Sequence, residues 1–154
     1  MREGFVGTAA PLYVDLVLLL ELTMGVALLT GAFFARFGKF RAHAWFQSSV
    51  VLLNAVVTVS VMLPAFHRQV WPRIPLKLGK SFYAMATAHA ALGAIVECAA
   101  LYILLAAGTT LMPEKLRLTR YKLWMRTVLV GWWCVLLLGI ATYARWYIPN
   151  LLRQ

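Results

Sequence analysis

The feature that most constrains this chain is the run from Ala42 to His67, 26 consecutive residues without an acidic side chain, a lysine or an arginine. A helix crosses the hydrocarbon core of a bilayer in about 20 residues. Three further apolar runs accompany it, so spans are expected over residues 11–35, 42–66, 81–107 and 126–147. Breakers separate them: Gly38 after the first, Pro72 and Pro75 after the second, Gly108 and Pro113 after the third, Pro149 after the fourth. Backbone polar groups inside a bilayer must be satisfied within their own segment, which makes helices the spanning structure. The sequence therefore reads as all-α, an integral membrane four-helix bundle forming a single transmembrane domain over residues 1–154. Pro64 lies within the second span. It removes a backbone donor, should free the carbonyl of Ser60, and predicts a bend.

Composition points the same way. Only 13% of residues are charged, where a soluble domain carries about 25%. The mean hydropathy is +0.77. Four spans with their connections use nearly all of the 154 residues, which leaves no room for a soluble catalytic domain. The chain contains no GxSxG, no phosphate loop and no HExxH. The reading is a non-enzyme, with no catalytic residue and no metal site assigned. The first span differs from a cleaved signal peptide, because Arg2 is offset by Glu3 and the apolar run is too long and holds acids.

The net charge of +10 would suggest nucleic acid in a soluble protein. Here the basic residues flank apolar runs, where lipid head groups and topology signals account for them. The expected partner is the lipid bilayer, not nucleic acid. Arg36, Lys39, Arg41, Lys115, Arg117, Arg120, Lys122 and Arg126 fall on one side, eight in all. Arg2, Arg68, Arg73, Lys77, Lys80, Arg145 and Arg153 fall on the other, seven. That bias puts the first set inside and both termini outside.

Buried polar groups are the informative residues of such a chain, because each is costly in hydrocarbon. Glu21, Asn54 and Glu97 come from three different spans and share one depth near mid-membrane. They should face inward and meet. Two carboxylates so close should not both stay ionised, so a shared proton or a metal is one reading and hydrogen-bonded helix glue the other. A second level lies about 9–14 Å above the middle and holds Asp15, His89, Thr142 and Arg145. Asp15 and Arg145 would form an intramembrane ion pair between the first and last spans. Helical spacing places His43, Gln47, Asn54 and Thr58 on one face of span two. Ala86, His89, Ala90, Gly93 and Glu97 share a face of span three, and Gly131, Val135, Leu138, Thr142 and Arg145 one of span four.

There are three histidines. His43 reads as an interfacial residue bonded to its neighbours. His67 and His89 belong to the same half of antiparallel spans, which suggests axial haem ligands, a copper site or ordinary polar packing. Three histidines cannot build two bis-histidine haems, and no CxxCH motif offers covalent attachment. Cys98 and Cys134 sit near mid-membrane and are expected to serve as small packing residues.

The stretch PLYVDLVLLLELTMGVALLTGAFFARFGKFRAHAWF resembles the first hairpin of a small bacterial four-span membrane family of poorly defined function, which includes CtaM-like proteins needed for maturation of haem-A oxidases. The resemblance rests on Asp15, on the turn residues Gly31, Phe34, Arg36, Gly38 and His43, and on His67 and His89. Arg120 to Arg126, Trp132 and Gly139 extend it to span four, so it covers residues 11–148. Tyr121 stands where the family tends to have a histidine, so an inner pair with His43 is missing. The resemblance implies a bacterial cytoplasmic membrane, partner subunits of a redox complex, and a role as a non-enzymatic accessory or assembly subunit. A haem-b electron carrier using His67 and His89 is the alternative, and a purely structural subunit the third reading.

Overall fold

A computed structural model describes residues 8–108, 113 and 119–148. Arg2, Glu3, Lys115, Arg117, Pro149 and Arg153, which enter the sequence reading, lie outside the described residues. The described chain is all-α, and four of its helical stretches are long and apolar enough to cross a membrane. It is a four-helix bundle of the multi-pass membrane kind.

Helix α1 spans Leu12–Arg36 and follows Pro11, whose ring holds φ at −63°. Arg36 in its last turn complements the negative end of the helix dipole. The helix stops at Gly38, whose φ of +72° is the left-handed conformation that glycine adopts without penalty. The Lys39 amide then reaches back to the Phe34 carbonyl at 2.9 Å, and the chain reverses into α2, Phe40–Val57.

The irregularity expected from Pro64 takes a specific form. A π-helical turn, Thr58–Met62, precedes α3, Leu63–Gln69. The Leu63 amide bonds the carbonyl of Thr58, five residues back, instead of Val59. That wider turn accommodates a proline that has no amide to offer. Ser60 Oγ donates to the Val56 carbonyl at 2.6 Å within the same stretch. A 3-10 turn, Trp71–Arg73, and a short α4, Ile74–Lys77, lead to α5, Ser81–Gly108. The last helix is α6, Tyr121–Tyr147.

The first and third spans begin and end within a residue of the expected bounds. Helix α6 starts at Tyr121 rather than at 126, because Lys122 and Arg126 continue a helix readily while their charged heads reach the interface. The second helical run begins at Phe40 and, in short pieces, reaches Lys77.

Two hairpins organise the bundle. α1 pairs closely with α2, and α5 with α6, while α1 touches α6 and α2 touches α5 over thinner seams. Helix order round the bundle is thus α1, α2, α5, α6. Small residues set the close approaches within the second hairpin: Gly139 lies under the His89 ring, and a Cβ there would come within 3.0 Å of it. The main core joins Met24, Leu28, Val50, Val51, Val96, Ala100 and Trp132. A second cluster sits at the end where α1 begins and α6 ends and combines Val70, Tyr83 and Ala86 with Phe66, Phe82 and Trp146. Between 11% and 28% of each spanning window is buried inside the chain, so most apolar surface must be covered from outside. A lipid bilayer fits that requirement.

Candidate functional site

The polar seam between the hairpins is the site most clearly built from unlike residues. Helix α2 presents Asn54 and α5 presents Glu97, and Asn54 Nδ2 donates to Glu97 Oε2 at 2.7 Å. Glu97 is only 8% exposed. Its Oε1 has no hydrogen-bond partner among the described residues. Glu21, from α1, has an Oε1 that is likewise buried and without a partner among the described residues. Of the three residues expected at mid-membrane, the structure brings Asn54 and Glu97 into contact.

A third polar atom belongs to this level. The Trp133 indole N–H is buried without a partner among the described residues, and its ring lies against Gly25, one turn beyond Glu21. Apolar side chains of the main core close the surroundings. Buried polar atoms are normally paired, and each exception requires a reason. Two carboxyl groups in such a seam can share a proton, and the indole N–H can donate a hydrogen bond but takes up no proton itself.

The second expected level is built differently from the reading. Asp15 is fully buried, and Tyr143 on α6 donates to its Oδ1 at 2.5 Å. The Tyr143 hydroxyl also meets Thr8 Oγ1 at 2.7 Å, and the Ala9 amide bonds the Tyr147 carbonyl at 3.3 Å. The segment before α1 is thereby fastened to the end of α6. Arg145 is exposed, and the α6 side chain that bonds Asp15 is Tyr143. The expected pair is corrected to a carboxyl–phenol contact. The reason is rotational: the face of α6 that meets α1 runs through Trp132, Leu136 and Tyr143, offset from the face through Leu138 and Arg145. Sequence reasoning missed Tyr143 because an aromatic near a helix end reads as an interfacial belt residue. Its spacing of four from Gly139 and seven from Leu136 was the available signal.

The histidines do not form a pair. His67 is exposed on α3. His89 turns into the α5–α6 contact, where its Nδ1 donates to the Val135 carbonyl at 3.0 Å and its ring rests on Gly139. Two axial ligands for one haem must face a common gap, and these imidazoles do not fit that requirement. No three His, Cys, Asp or Glu side chains gather as metal ligands among the described residues. His43 is bonded, its Nδ1 donating to the Gly31 carbonyl at 2.9 Å, and Gln47 donates to the Leu28 carbonyl at 3.0 Å. Both fasten α2 to α1. Cys98 and Cys134 are exposed rather than packed inside, a correction that costs little because a thiol is about as apolar as the lipid-facing positions demand.

Comparison with known proteins matches the chain to no family model, no curated protein and no solved structure. Its functional reading rests on these side chains.

Proposed function

We propose that this chain is a non-enzymatic accessory or assembly subunit of a bioenergetic membrane complex, seated in a bacterial cytoplasmic membrane with both termini on the outer side. The observation that carries this reading is the pair of seam carboxyls, each with a buried oxygen lacking a partner among the described residues. An acid at the centre of a span costs roughly 2.5–3.5 kcal/mol on insertion scales. Helix glue alone is obtained more cheaply from amides and hydroxyls. Two neighbouring acids at one depth supply exchangeable protons beside whatever machinery packs on this bundle, which suits a subunit of a proton-coupled redox complex. The modest share of each span buried within the chain leaves broad apolar flanks for larger subunits as well as lipid. The resemblance to the CtaM-like family supports the same reading.

The test is purification of the tagged chain from native membranes in mild detergent after cross-linking. Larger redox subunits should co-purify. Glu21→Gln and Glu97→Gln should lower electron transfer or proton uptake of the complex while leaving its assembly intact. A chain recovered alone would overturn the reading. Unchanged activity in both variants would reduce the acids to packing.

A further inference from the structure

At the end of the bundle where α1 begins and α3 ends, a half-open cleft of about 430 Å³ is lined by Tyr13, Ser60, Val61, Ala65, Arg68 and Gln69. Five of the six come from the stretch where the π-helical turn passes into α3. Such turns recur at functional sites because they displace side chains from regular helical register. The stretch from Ser60 to Arg68 rises about 12 Å at 1.5 Å per residue. The cleft therefore reaches from the polar boundary of the membrane into its apolar part.

Its lining changes character along that depth. Val61 and Ala65 lie one turn apart and form an apolar wall. The Ser60 hydroxyl proton is already committed to the Val56 carbonyl, so the deep part offers no free hydroxyl donor. Arg68, Gln69 and Tyr13 stand at the mouth, and Tyr13 is 49% exposed. Arg68 Nε donates to the Pro64 carbonyl at 3.2 Å, which anchors the guanidinium at the mouth. Its two terminal nitrogens make no hydrogen bond among the described residues. A guanidinium with free, planar donors matches a phosphate.

The local charge selects the kind of phosphate. No Asp or Glu occurs between Glu21 and Glu97, and the adjoining connection carries Arg73, Lys77 and Lys80. Asp15, two residues from Tyr13, is fully buried and engaged by Tyr143 of α6. Among the described residues, no carboxylate lines the cleft to compete for Arg68. A zwitterionic head group would bring an ammonium into this basic surrounding, whereas an anionic one would not. We propose that the cleft is a binding site for an anionic phospholipid, with its phosphate on Arg68 and its upper acyl chain along Val61 and Ala65.

The test is a lipid titration of the purified full chain in mild detergent, read by native mass spectrometry. The probes are phosphatidylglycerol, phosphatidylcholine and inorganic phosphate. Phosphatidylglycerol should bind more tightly than phosphatidylcholine, and Arg68→Gln should weaken it about five-fold, the effect expected of one basic residue near a membrane surface. Lys80→Gln, on the same connection but outside the cleft, should leave it unchanged. Val61→Trp, which fills the apolar slot without altering charge, should weaken both lipids, and it tests the site even if Arg68→Gln fails to fold. Equal loss in Lys80→Gln and Arg68→Gln would overturn the proposal in favour of diffuse surface charge. Displacement of the lipid by an equal concentration of inorganic phosphate would overturn it in favour of a free-anion site. Undiminished lipid binding by Val61→Trp would remove the cleft itself.

Discussion

Replacing Asn54 by Leu strips Glu97 of the donor to its Oε2, the 2.7 Å bond that joins α2 to α5. The Glu97 Oε1 already lacks a partner among the described residues, so the whole carboxyl group would then stand unpaired in the seam. In soluble proteins an orphaned buried polar group costs about 1–3 kcal/mol. Inside membranes the unfolded reference state also finds partners, and measured interhelical couplings average about 0.6 with a maximum of about 1.7 kcal/mol. The membrane figures govern here, because both residues stay in the bilayer when helices separate. Asn54→Leu should therefore destabilise the bundle by about 1 kcal/mol. Glu97→Gln keeps an acceptor for Asn54 and should cost less. Replacing both residues by Leu removes donor and acceptor together and should be close to neutral. The assay is equilibrium unfolding of the purified chain in mixed micelles titrated with dodecyl sulfate, followed by far-ultraviolet circular dichroism. A double-mutant cycle additive to within about 0.3 kcal/mol would refute the contact.

Tyr143→Phe should destabilise the bundle by about 1 kcal/mol, since it removes a donor to the fully buried Asp15, whereas Arg145→Ala should have a smaller effect. A larger effect at Arg145 would restore the ion-pair reading. Gly139→Ala should lower Tm by several degrees, because the added Cβ would sit 3.0 Å from the His89 ring and displace it from the Val135 carbonyl. An unchanged Tm would mean that this contact is loose. The chain purified alone from haem-replete cells should show no Soret band, as His67 and His89 do not face a common gap. A band lost in His89→Ala would overturn that placement.

The fold was legible because its strongest signals are long and local. Stretches of apolar residues set the four spans, and Pro64 alone announced an irregularity that proved to be a π turn. The depth of Glu21, Asn54 and Glu97 could be counted from span centres, and Asn54 does meet Glu97. Rotation about the helix axis was less legible than depth. Asp15 and Arg145 share a level but not a face, and Tyr143, two residues away, takes the contact. His67 and His89 share a half of the bundle but not a facing, since His67 is exposed while His89 turns toward α6. Which carboxyl oxygens stay unpaired is a matter of rotamers, on which spacing is silent.

The polar bonds between helices divide by kind. Within the hairpins, among the described residues, side chains bond backbone carbonyls: His43 to Gly31, Gln47 to Leu28, His89 to Val135 and Tyr121 to Ala106. Between the hairpins, the described bonds joining spanning helices end on acids: Asn54 on Glu97, and Tyr143 on Asp15. A carbonyl cannot be lost by substitution or protonation, but a carboxylate can. The hairpins should therefore be robust units and the seam between them the sensitive element. The chain can be divided at Gly79, which lies in open space on the connection between them, and the halves co-expressed. Replacing Asp15 and Glu97 together by Leu should weaken reassembly of the halves. Two couplings of about 0.6–1.7 kcal/mol each correspond to roughly one to two and a half orders of magnitude in Kd. His43→Leu should leave reassembly almost unchanged, because its bond lies inside one half. An equal loss from His43→Leu would show that the seam has no special dependence on its acids.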